Sequence, residues 1–240
     1  MLNILVNKGV KNMTGLYCDN SFKHVDGNAN NLSKLVELQS VSIKNVGNKN
    51  AIAIRTILQP KTGIDEWRKK VGEEEANKIM KESAALGTMV HNLCEQYLYN
   101  MPLAESPEEV VSVFNRLRFI LGNVDNIYGL ELPLYSDILK VAGTADCVAE
   151  YNGVLSVIDF KTSRKAKREE WIEDYFIQAF FYAAAFYEMT GAVPEQIVIL
   201  VAVRESFEIQ VFKKPIADLE IYIDKLLKIM KKYPTVCQQY

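Results

Sequence analysis

Residues 140–163 read KVAGTADCVAEYNGVLSVIDFKTS, and this stretch decides the fold. Two strand-like runs, 140–151 and 154–160, flank Asn152-Gly153. Asn-Gly in that setting is the strongest short hairpin signal, because a type I′ turn needs positive φ at both central residues. The reading is therefore a pair of antiparallel strands, one carrying Asp146 and the other ending in Asp159-Phe160-Lys161. Carboxylates on paired strands can meet on one sheet face. Asp159 closes an otherwise apolar run, where its burial costs free energy unless a cation or hydrogen bonds compensate. Lys161 lies two residues on and shares the Asp159 face, whereas the Phe160 side chain points away and leaves its carbonyl available. Oxygen ligands of this kind suit a hard divalent cation. A lysine beside such an ion could hold an attacking water or a phosphate oxygen.

Working outward, residues 131–135 read as a strand before the hairpin. A helix over 174–189, ended by Gly191 and Pro194, places Gln178 and Tyr182 four apart on one face. Trp171 and Tyr175 extend that face if the helix starts early. Residues 197–204 and 207–213 read as two more strands and 215–232 as a closing amphipathic helix. Upstream, 51–58 is a strand or the first turn of a helix, and a helical pattern from Asp65 breaks at Gly72. A second periodic stretch over 82–99 buries Val90, Leu93, Cys94, Tyr97 and Leu98. His91 sits beside that stripe. Gly87, one turn earlier, would admit another backbone, and Glu95 lies one turn later. A helix over 108–121 is closed by Gly122. The order predicts an α/β fold, a central mixed β-sheet flanked by helices with an N-terminal helical region. Residues 1–50, punctuated by Asn-rich stretches, form an N-terminal extension, and 51–240 the main domain.

The chain has 240 residues, 49% hydrophobic and 24% charged, with a net charge of -2. Those values exclude disorder and collagen-like repeats. They carry no global signature of polyanion binding, so any nucleic-acid contact must come from local clusters. Lys161, Arg164, Lys165, Lys167 and Arg168 form one such cluster after the second hairpin strand, where it could bind a phosphate backbone. Cys18, Cys94, Cys147 and Cys237 stand far apart, without zinc or iron–sulfur spacing, and read as reduced thiols. No apolar run reaches the length of a membrane span, and the N-terminus has no signal-like core. The expectation is a soluble intracellular protein, in the cytoplasm of a bacterium or infected host cell, or in an organelle matrix. Each polar feature alone has a bland reading: a core histidine, a turn-flanking aspartate, a solvated basic loop. Their order along the chain argues for one site.

Gly143-Thr144-Ala145-Asp146, Val157-Ile158-Asp159-Phe160-Lys161-Thr162-Ser163, Gln178-x-x-x-Tyr182 and the preceding Gly87-x-x-x-His91 together resemble the PD-(D/E)XK nuclease superfamily. Within its RecB-like branch they are most similar to the mitochondrial genome maintenance exonuclease and related phage exonucleases, over roughly residues 54–232. The resemblance implies a restriction-endonuclease-like core and a Mg²⁺- or Mn²⁺-dependent deoxyribonuclease. It implies His91, Asp146, Asp159 and the Phe160 carbonyl as metal ligands, and Lys161 with the two aspartates as the catalytic set. Gln178 and Tyr182 would brace the site or touch substrate, with Glu131 and Glu95 in support. Ser163, Arg164, Lys165, Lys167 and Arg168 would contact DNA. No iron–sulfur cluster is expected, because the cysteines that some relatives use for one are missing. The expected substrate is DNA, taken from single-stranded ends, in replication, repair or recombination. The alternatives are a structure-specific endonuclease of the same superfamily and a catalytically silent DNA-binding scaffold. A small-molecule metal hydrolase would call for a second histidine in the site or a dense His/Asp set.

Overall fold

A computed structural model of the chain describes residues 22–23, 51–58 and 64–231. The N-terminal extension expected over 1–50 lies outside the described residues, apart from Phe22 and Lys23, as do Cys18 and Cys237. The first described element is a two-residue strand, β1 (Ile52–Ala53), which runs straight into a single helical turn, α1 (Ile54–Ile57). Both readings of 51–58 are thus realised in succession. Helix α2 (Ile64–Val71) ends at Gly72, whose φ of 96° breaks the helix as expected. The next helix, α3 (Glu73–Leu98), is a single 26-residue rod that absorbs the periodic stretch expected to begin at 82. Helix α4 (Glu108–Leu121) follows, with Gly122 as its C-cap.

Three strands come next: β2 (Val124–Ser136), β3 (Val141–Tyr151) and β4 (Val154–Ser163). β2 is far longer than the five residues expected of it, because the turn-like Asn126 and Gly129 are accommodated by a register shift between Asp125 and Gly129. Asn152 and Gly153 turn with φ of 54° and 76°, the positive values that the hairpin reading demands. Helix α5 (Glu173–Thr190) closes on Gly191, at φ 76°, whose N–H donates to the Tyr187 carbonyl. Strands β5 (Gln196–Val203) and β6 (Ile209–Pro215) and helix α6 (Leu219–Lys231) complete the chain. Among the described residues no helix is long and apolar enough to cross a membrane.

The sheet is mixed, in the order β1-β3-β4-β5-β6, with β2 also paired to β3. The hairpin and β5–β6 are antiparallel, while β4–β5 and β1–β3 are parallel. α5 supplies the crossover that joins two parallel strands. Helices cover both faces, as the sequence predicts. On one face Val90, Leu93 and Tyr97 of α3 and Phe114 and Leu117 of α4 pack with Ile158, Phe160 and Leu200. On the other, Phe176, Phe180, Phe181 and Phe186 of α5 pack with Val157, Ile199, Val201 and Leu226. α5 is apolar almost all round because Tyr222 of α6 stacks on Phe180, centroid to centroid at 4.5 Å, and covers its outer side. Fully burying each of these side chains contributes roughly 1.5–3 kcal/mol.

One local interaction fixes the register of the hairpin. Replacing Gly153 with alanine puts a Cβ on a residue at φ 76°. We expect a loss of about 1 kcal/mol. In a thermal melt that is a drop of roughly 2–4 °C for a domain of this size.

Candidate active site

The site is built on the strand register. Pairing of β3 with β4 ends at Cys147↔Ile158. One step further, Asp146 stands opposite Asp159. On the other side of β3, Leu130↔Cys147 and Leu132↔Ala145 bracket Glu131 and place it opposite Asp146. Glu131, Asp146 and Asp159 therefore occupy one row across three neighbouring strands. Like charges directly opposite one another are destabilising, and the ladder is interrupted at this row. β1 occupies the same side of β3 only as far as Ala142, so residues 143–146 lie in a gap between β1 and β4.

Each carboxylate of the row is held differently. Asp146, 5% exposed, accepts a 2.7 Å hydrogen bond from the Phe160 N–H on Oδ2, and the same oxygen lies 3.6 Å from His91 Nδ1. The contact made by Phe160 is thus through its N–H. Asp159, 2% exposed, forms an ion pair through its Oδ2 with Lys161. Burial raises its pKa to about 6, more than Lys161 lowers it, and the charge of Asp146 adds to the rise. Burial alone would push Lys161 down, but Asp159 and Asp146 outweigh it and its pKa is raised, so the ammonium stays charged. The Lys161 Nζ also lies 5.2 Å from the centre of the Tyr175 ring. Glu131 is exposed, on strained backbone at φ 44°. Partial burial, Asp146 and Glu95 raise its pKa, against the opposing charges of His91 and Arg55.

One ligand atom from each of His91, Glu131 and Asp146 lies within 4.8 Å of the other two. The donor set of an imidazole and carboxylate oxygens suits a divalent cation. These residues fit a metal ion. Glu131, expected in a supporting position, stands in the triple itself, whereas Asp159 stands next to it against Lys161. Glu95 acts on Glu131 by charge and is outside the triple.

Gln178 Nε2 donates to the Tyr182 hydroxyl at 2.9 Å. The Tyr182 ring fills the space left by Gly143: a Cβ there would lie 2.7 Å from both Tyr182 Cε1 and Ile54 Cγ2. The sequence reading missed why the motif begins with glycine; the signal was a glycine inside a strand, which often marks close approach. Gly87, by contrast, meets no backbone. A Cβ there would make a near-ordinary 3.4 Å contact with Thr162 Oγ1. Trp171 is corrected as well. It lies in a 3₁₀ turn before α5, is 59% exposed, and packs under Arg168 instead of extending the Gln178 face.

The basic run is partly neutralised. Arg164 Nε lies 2.7 Å from Glu205 and Arg168 lies 3.8 Å from Glu170. The Ser163 hydroxyl donates to the Lys165 carbonyl, while Gln210 ties the Lys167 backbone at both its N–H and its C=O. The ammonium groups of Lys165 and Lys167 have no ion pair among the described residues. Cys94 and Cys147 are buried free thiols whose pKa values burial pushes far up, which leaves them inert packing groups.

The family model described as the PD-(D/E)XK nuclease superfamily matches residues 65–232. The chain belongs to the PD-(D/E)XK nuclease superfamily. Among curated relatives, mitochondrial genome maintenance exonuclease 1 of mouse (Mus musculus) is 29% identical over 110 residues, 43% of this chain and 32% of the relative. The human (Homo sapiens) protein is 30% identical over 111 residues, with the same coverage, 43% and 32%. The Xenopus tropicalis protein is 30% identical over 119 residues, 47% of this chain and 34% of the relative. The matched part of this PD-(D/E)XK chain spans about a third of those relatives' length.

The two buried aspartates should respond to substitution with opposite signs. The folded-state pKa of Asp159 lies above its unfolded value, so its protonated form favours folding and stability falls as pH rises from about 4 through 6. Asp159→Asn should therefore raise the melting temperature of the metal-free protein above pH 6, with the gain vanishing below about pH 4. A divalent ion should stabilise the wild type more than this variant. Asp146→Ala leaves the Phe160 N–H without its acceptor and should cost about 1–3 kcal/mol; Asp146→Asn, which keeps an acceptor, should cost less. Melts with and without EDTA check both. Gly143→Ala should cost about 1–3 kcal/mol by overpacking against Tyr182, measured in the same way.

Proposed function

We propose that the protein is a Mg²⁺- or Mn²⁺-dependent DNA exonuclease that hydrolyses phosphodiester bonds from single-stranded ends. The observation that carries this reading is the row of three carboxylates faced by His91, with Lys161 against its buried end. A divalent cation bound by His91, Asp146, Glu131 and Asp159 would neutralise charge on a phosphate and lower the pKa of a water. The chain's own groups do the rest. Asp146, fixed by the Phe160 N–H, keeps its carboxylate aimed between α3 and the hairpin. Lys161 holds its proton, so it can donate hydrogen bonds to a non-bridging phosphate oxygen or orient a water whose proton leaves to a carboxylate. Tyr182, braced by Gln178, sets the wall beside Gly143. Lys165 and Lys167, with Ser163, Arg164 and Arg168 around them, offer the strand a cationic path beyond β4. The names of the relatives support exonucleolytic action.

Linear and circular single-stranded DNA, incubated with Mg²⁺ or Mn²⁺, provide the test. The linear strand should be degraded and the circle spared. Asp159→Ala and Lys161→Ala should each lower the rate on the order of 10²–10³-fold, and Lys161→Ala should still bind DNA. Cutting of the circle would identify an endonuclease. Binding without cleavage at any metal concentration would identify a silent scaffold.

A further inference from the structure

A cleft of about 710 Å³ opens beside Glu131. One wall is apolar, made of Ala53, Ile54, Pro133 and the Tyr182 ring, and the rest is polar, with Thr144, Glu131 and Arg55. Glu131 belongs both to this lining and to the triple with His91 and Asp146, so the cleft shares one residue with the candidate metal group. Its size falls in the range of small-molecule sites, large enough for a nucleotide unit.

Arg55 is the notable member. It is exposed on α1, and among the described residues no carboxylate lies within ion-pair distance of it. It lines the same cleft as Glu131 and Tyr182. One cation, Arg55, and one carboxylate of the anionic row, Glu131, line the cleft. A polyanionic strand reaching that row needs positive charge along its way. The guanidinium, with several donors in a rigid fork, matches phosphate geometry. The apolar wall suits the sugar and base of the same nucleotide.

We propose that this cleft is the subsite for the nucleotide adjoining the scissile bond, and that Arg55 holds that nucleotide's phosphate. The assignment rests on the nuclease reading above and adds to it a positioning residue from the N-terminal edge of the sheet. Arg55 contacts the substrate away from the reacting bond, so its loss should weaken binding far more than turnover.

The experiment compares wild type with Arg55→Ala and Arg55→Lys. Anisotropy of a fluorescein-labelled oligothymidylate, in EDTA to prevent cleavage, gives affinity against salt concentration. Steady-state kinetics with Mg²⁺ give KM and kcat. Arg55→Ala should weaken binding roughly tenfold, the scale of one charge-assisted contact. It should reduce the slope of log K against log salt by about 0.7, the value for one phosphate of a single strand. KM should rise by a similar factor with kcat nearly unchanged, and the melting temperature should hold because the side chain is exposed. Arg55→Lys should restore the salt slope but not the full affinity. If the wild type cleaves while Arg55→Ala keeps its salt slope and KM, the subsite assignment is overturned and the nuclease reading stands. If the slope is kept and kcat falls instead, Arg55 acts on the chemistry and the assignment is likewise overturned. If the wild type neither binds nor cleaves DNA, the nuclease reading fails, and this inference with it.

Discussion

Three acidic side chains stand shoulder to shoulder across three adjacent strands, and the architecture around them accommodates their mutual repulsion. β3 and β4 part at that row. The Phe160 N–H turns to Asp146, the Lys161 ammonium folds back on Asp159, and the His91 imidazole reaches in from α3. Each response neutralises part of the charge of the row. A buried carboxylate left in that state is costly for a fold and suited to a cation. The repulsion that weakens the fold is also what suits the row to a cation.

The two helical layers reach this row through different routes. α3 lies on the Ile158 and Phe160 side and brings His91 to the exposed end of the gap. α5 lies on the Val157 side and brings Tyr175 against Lys161 and Tyr182 against Gly143. The alternation of side chains along β4 divides these duties, because Asp159 and Lys161 point one way and Phe160 the other. The aromatic core beneath α5 holds Tyr182 in place, so the site is anchored by apolar packing at a distance from its charges.

Much of this was legible in the residues. Asn152-Gly153 set the hairpin, and counting outward from that turn places Asp146 opposite Asp159 with no further information. The Asp-x-Lys spacing put Lys161 beside Asp159, and the four-residue step joined Gln178 to Tyr182. Glu131 was harder. Its partner is fixed by a register that shifts between Asp125 and Gly129, and its φ of 44° is a choice no propensity suggests for glutamate. Arg55 was illegible because nothing in a four-residue helical turn announces which cleft it borders. The basic run looked more available than it is, since Glu205 comes to Arg164 from 41 residues away across the β5–β6 turn. Such pairings depend on tertiary proximity and leave no local trace.

Among the described residues, the opening between β1 and β4 leaves the main chain of 143–146 without a neighbouring strand on one flank. Groups of that backbone persist through side-chain exchange, with proline, which removes its own N–H, as the exception. The fold therefore contributes polar contacts of its own to whatever enters the gap, and these would outlast the loss of individual side chains. Remodelling the specificity of this protein would require moving strands, not only exchanging residues.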